Sequence, residues 1–157
     1  MDAPLGATED CARAGDSPPF KLNHGEPMPA RFDDIEIGQV ANLGATRIEP
    51  EALATFAAAF APGWTADRGA PDAMIYALWS KLDATASEAW PQTKRIGVDA
   101  LRWMRNPPAG ELVRGRMTIM GKDAVGEDKG IVFAQHDLLD EAGRLVFSCL
   151  TRSVYVR

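Results

Sequence analysis

"DAMIYALWSKLDATASEAWP", residues 72–91, decides the fold. Ile75, Leu78, Trp79, Leu82, Ala86 and Trp90 recur at three- and four-residue spacing, so one long helix carries them on one face. Asp72 is the expected N-cap, because its carboxylate can accept an orphan backbone N–H. Pro91 is the expected stop. Asp83 adjoins the stripe beside Leu82 and is expected to face solvent. A helix with one large apolar face needs a second layer to bury it.

Upstream, Pro50 fits the first position of a shorter helix, flanked by Glu49 and Glu51 at its positive end. Leu53, Phe56, Ala57 and Phe60 form its apolar stripe, and Pro62-Gly63 ends it. Before it, Gln39 to Ile48 reads as a strand interrupted by Gly44. From Gly97 the period changes to two. "GVDALRWMR" runs to a turn at Asn106-Pro107-Pro108, and "ELVRGRMTIMGK" places Val113, Gly115, Met117 and Ile119 on one face. "DAVGEDKG" reads as a polar hairpin loop, "IVFAQHDLL" as a strand, "DEAG" as a turn and "RLVFSCLTRSVYV" as the last strand. The expected order is one strand, two helices and a four-strand meander. This is an α+β fold, with an antiparallel sheet wrapped around the long helix. Pairing across a dimer would remove an exposed sheet edge.

The chain has 157 residues, 46% hydrophobic and 25% charged, as expected of one globular domain. A net charge of −5 argues against a general nucleic-acid binder. Residues 1–90 carry 6 Lys/Arg against 14 Asp/Glu, and residues 91–157 carry 11 against 8. The basic C-terminal half could meet an anionic small molecule, but a solvated sheet face is the plainer reading of those charges. Cys11 and Cys149 make no disulfide framework, and a reducing cytoplasm is the expected setting. The acidic start "MDAPLGATEDCARAGD" is no signal peptide, and no run approaches a membrane span. Residues 1–30, with five prolines and His24, read as a flexible arm before a domain at 31–157.

Over residues 31–157 the chain resembles the MaoC-like acyl dehydratases, the (R)-specific enoyl-CoA hydratase family. "RFDDIEIGQV", "RIEPEALATFAAAFAP", "YALWSKL", "LRWMRNPPAGELVRGRMTIMGK" and "GIVFAQHDLLDEAGRLVFSCLTRSVYVR" are similar, in that order, to the family's successive blocks. The resemblance implies a single hotdog domain, a dimer and acyl-thioester chemistry of the lyase class. It also implies an Asp and a His just after the first helix, to serve water and the alpha carbon. Here "FAPGWTADRGAPD" holds no His, and Ala61 stands about where the Asp belongs. The family's backbone oxyanion donor matches Pro71-Asp72, where Pro71 has no N–H and Asp72 carries the wrong charge.

The remaining catalytic candidates are Asp67, Asp72, Asp83 and His136, each with a plain structural alternative. A lone strand histidine beside Val132, Ala134 and Leu138 is ordinarily a packed residue. Arg102, Arg105, Arg114, Arg116 and Lys122 are the candidates for a CoA or acyl-carrier phosphate. No metal-ligand spacing and no Gly-rich phosphate loop occurs, so no cofactor is expected beyond the thioester itself. The expectation is therefore a hotdog protein without the Asp/His pair. It would bind an acyl thioester, or partner a catalytic hotdog subunit in a heterodimer or a copy of itself in a homodimer. The alternatives are an active hydratase, dehydratase or thioesterase using Asp67, Asp72 or Asp83, and a structural dimer without ligand.

Overall fold

Strand β1 (Val40–Arg47) leads into helices α1 (Pro50–Phe60) and α2 (Asp72–Ser87), followed by β2 (Gln92–Trp103), β3 (Leu112–Val125), β4 (Lys129–Leu139) and β5 (Leu145–Val156). The computed structural model describes residues 31–88 and 90–157. The expected arm at 1–30, with Cys11 and His24, lies outside them. Short 3-10 turns at Phe32–Asp34 and Ala66–Arg68 complete the element order.

The five strands form one antiparallel sheet in the order β1-β3-β4-β5-β2. The expected order of elements holds, but the four-strand meander is corrected. Only β3, β4 and β5 run as a meander, and β2 pairs with β5 at the far edge. Residues 104–111, with their two prolines, are no tight hairpin, and β1 takes the edge of β3 that β2 would need. The polar loop expected at 123–130 shrinks to residues 126–128, because β3 and β4 pair out to Val125 and Lys129. Strand β2 likewise starts at Gln92, ahead of Gly97, where bulges at three positions hide its alternation.

Helix α2 packs its apolar face against this sheet. Met74, Ile75, Trp79 and Leu82 are buried with Val113, Met117, Ile119, Val132, Ala134, Leu138, Phe147 and Tyr155. Trp79 is the centre, with ring centroids 5.1 Å from Tyr76 and 5.8 Å from Phe147. Gly115 permits the close approach of β1 and α2, since a Cβ there would lie 2.8 Å from Leu43. The helix ends at Ser87, earlier than Pro91 suggested, and Trp90 is buried from the turn beyond it. Asp72 is the first helical residue and Pro71 the N-cap, so the expected Asp72 cap is corrected. On α1, Leu53 and Ala57 are buried, whereas Phe60 is exposed, its ring tilted against Phe56 with centroids 5.1 Å apart, which removes it from the expected buried stripe.

Candidate functional site

The corner between α1 and α2 is where the loop acid and histidine would stand. Ala61 caps the C-terminus of α1, its N–H donating to the Ala57 carbonyl at 2.9 Å. Trp64 Nε1 donates to the Gly69 carbonyl at 2.8 Å, and the Arg68 guanidinium covers the Trp64 ring at 3.9 Å. Gly69, at φ 78°, turns the chain tightly against the Asn106 and Pro107 backbone. The connection after β2 then closes over the α2 N-terminus. Asn106 Nδ2 donates to the Ala70 carbonyl and to Asp72 Oδ1, both at 2.8 Å. Trp103 Nε1 donates to the Asp72 carbonyl at 2.9 Å, and the Ala70 N–H donates to the Pro107 carbonyl at 2.8 Å. The Ala70 N–H is spent on that carbonyl, the N-cap is a proline, and Asp72 adds negative charge. Among the described residues, this corner holds no imidazole. Asp67 sits exposed on the 3-10 turn, and no hydrogen bond or ion pair joins it to a histidine or a second acid among the described residues.

The acid–imidazole pair of the described residues lies elsewhere. Asp83 faces the sheet, not solvent, and this corrects the expectation. It stands four residues beyond Trp79 and eight beyond Ile75, so the helical period carries it onto the apolar face. His136 alternates on β4 with Val132, Ala134 and Leu138, all buried toward α2. Asp83 Oδ1 lies 3.5 Å from His136 Nδ1. Asp83 Oδ2 takes Arg95 Nη1 at 2.7 Å, from the edge strand β2. His136 Nε2 shares a hydrogen bond with Thr151 Oγ1 at 3.0 Å. The Trp79 ring meets His136 edge-on at 5.3 Å and the Arg95 guanidinium at 5.4 Å.

Burial dominates the electrostatics here. It pushes His136 down to about 4, against the pull of Asp83, and Arg95 adds to the fall. The imidazole is therefore neutral at pH 7. Burial also pushes the Cys149 thiol and the Tyr155 phenol up to about 12 each, so neither is an anionic nucleophile near neutrality. A hydroxyl, a neutral imidazole and a carboxylate in series can pass a proton. In this chain all three are sealed: Asp83, His136 and Thr151 are buried.

The five basic candidates do not gather. Arg105 pairs with Glu111 and, at 2.7 Å, with Asp140, and the Glu111 contact raises it above its ordinary value. Arg116 pairs with Asp137 at 2.6 Å, and Lys122 donates to the Phe32 and Asp33 carbonyls. Arg102 on β2 and Arg114 on β3 remain exposed, on strands separated by β4 and β5. Among the described residues, no group of acids, histidines and cysteines is placed to hold a metal. Nor is any helix there long and apolar enough to cross a membrane.

Similarity to solved structures decides the architecture. A MaoC-like dehydratase from Rhodospirillum rubrum superposes with a TM-score of 0.71 at 20% identity, over 82% of this chain and 98% of that one. The chain has the hotdog fold. An (R)-hydratase from A. caviae involved in PHA biosynthesis gives a TM-score of 0.60 at 19% identity, over 78% of this hotdog chain and 98% of that one. A Mycobacterium tuberculosis protein with a double hotdog fold gives 0.66 at 17% identity. The match there covers 83% of this chain and 44% of that one, so this hotdog corresponds to less than half of the double one. No protein-family model and no curated protein matches the sequence.

Proposed function

We propose that this chain is an acyl-thioester-binding hotdog protein that carries no hydratase pair at its helix corner, acting as a homodimer or beside a catalytic hotdog subunit. The observation that carries this reading is the closed corner at Ala70–Asp72. Asn106, Pro107 and Trp103 bond to the groups around the α2 N-terminus, and Asp72 would oppose an enolate there. The fold supports the ligand class, because the solved proteins that share it are a dehydratase and an (R)-hydratase. The edge strand β2, which pairs with β5 alone and leaves Ile96 and Leu101 exposed, supports pairing with a second hotdog chain.

Thermal shift with a panel of CoA thioesters, alongside crotonyl-CoA hydration, tests the reading. A ligand at 100 times its dissociation constant stabilises the fold by ~2.7 kcal/mol. A shift with thioesters and hydration at background support the proposal. Turnover by the purified chain would overturn the non-catalytic part, and the absence of any shift would overturn the ligand.

Asp83 and His136 favour a second reading, an active hydratase, dehydratase or thioesterase whose proton-moving pair lies under α2. Its test is turnover in Asp83→Asn and His136→Gln. A fall of about 100-fold or more in either supports it, and measurable activity untouched by both removes it.

A further inference from the structure

An antiparallel sheet with one face in water alternates apolar and polar residues along its strands. Strands β4 and β5 break that rule. On β4, Val132, Ala134 and His136 are buried toward α2, so Ile131, Phe133 and Gln135 point the other way. Val154, Arg152 and Leu150 of β5 pair with them in register and share that outer face. Met120, 55% exposed at the bulge in β3, adjoins Gly121, whose partner is Phe133. Met120, Ile131, Phe133, Leu150 and Val154 therefore form one contiguous apolar patch, each of them half-buried or exposed. The charges around it are already paired. Arg152 lies across Gly97 and binds Asp99 on β2 at 3.0 Å, and Arg116 binds Asp137. Gln135 Nε2 donates to Asp137 and Ser148.

We propose that this outer patch docks on the same patch of a second copy, sheet back to sheet back, and so joins two β2-paired dimers into four chains. The inference rests on the edge pairing proposed above. Charge favours a like face. A charged partner finds no unpaired opposite charge there, whereas two patches with their charges already paired do not repel each other. The chain's own first 30 residues start on the wrong side: Arg31 leads into Phe32, which covers Gly130 on the α2 face of the sheet. Area decides how the contact works. Three strands at about 4.8 Å and five residues at about 3.3 Å make a patch of roughly 240 Å². Two patches bury roughly 500 Å², short of the ~1,200 Å² of a stable complex. Pairing along β2 sets two patches on one continuous sheet, so two dimers bury roughly 1,000 Å² through two contacts at once.

Light scattering on the full chain tests the docking, with circular dichroism to verify that each variant folds. The expected mass is that of four chains. It should fall to two chains in Met120→Lys/Leu150→Lys, which sets charge on the patch, and to one in Ile96→Lys/Met104→Lys. Thr118→Lys is a second face variant: Thr118 is half-buried opposite Gln135, and its replacement leaves the five apolar residues in place. It should also give two chains. A parent of two or four chains whose mass neither face variant changes overturns the docking and leaves the edge pairing standing. A two-chain parent that the face variants split into single chains overturns the edge pairing, and with it the four-chain assembly. A single-chain parent overturns both.

Discussion

Asp83 Oδ1 and His136 Nδ1 lie 3.5 Å apart in the core, with Arg95 closing the other side of the carboxylate. A helix residue, a central-strand residue and an edge-strand residue are thereby tied together beneath Trp79. Coupling of this kind makes each partner sensitive to loss of the others.

Asp83→Leu should destabilise the fold by about 3 kcal/mol, because it leaves Arg95 without its carboxylate. Adding Arg95→Met should restore at least about half of that loss, since two apolar side chains can replace a buried ion pair. Urea unfolding of the two single variants and the double variant measures the coupling. Additive losses would show that the pair is not a unit.

Acid should weaken the protein through His136. Its folded value of about 4 lies below the ordinary 6.5, so the unfolded chain binds the proton more readily. Stability is therefore complete above pH 6.5, falls as pH drops, and has lost about 3 kcal/mol from this group near pH 4. Asp140 acts in a lower window. Burial would raise it, but the Arg144 backbone N–H and the Arg144 and Arg105 guanidiniums outweigh that and hold it at about 2. Its contribution is present above the ordinary carboxylate value and is lost as pH falls through about 2. Chemical unfolding at pH 7 and pH 5 should show the loss in the parent protein and a flatter profile in His136→Gln.

Gly69→Ala should cost at least about 2 kcal/mol, since φ 78° with ψ −164° is a backbone region open essentially to glycine alone. The added Cβ would also strike the Asn106 and Pro107 backbone that closes the helix corner. A melting temperature unchanged from the parent would contradict the closed corner.

Ile96→Lys combined with Met104→Lys should shift the solution mass, measured by light scattering, from that of an assembly to that of one chain. Charge on an exposed strand edge blocks edge-to-edge pairing. A parent protein that is already a single chain would remove the dimer from the proposal.

The sequence by itself determined the local pieces. The spacing of Ile75, Trp79 and Leu82 required a one-faced helix, and Val113, Gly115, Met117 and Ile119 required a half-buried strand. The absence of histidine from residues 61–71 was equally legible, because it is a matter of composition. Asp83 was legible in principle, being in helical phase with Ile75 and Trp79, but a carboxylate on an apolar face is recognised as buried only once its partners are known. Those partners come from β2 and β4, and only the tertiary structure decided that β2 crosses to the edge beside β5 and delivers Arg95 there. Periodicity is a property of one segment, whereas strand order and ion pairing are set by competition among segments for the same edges and the same buried charge.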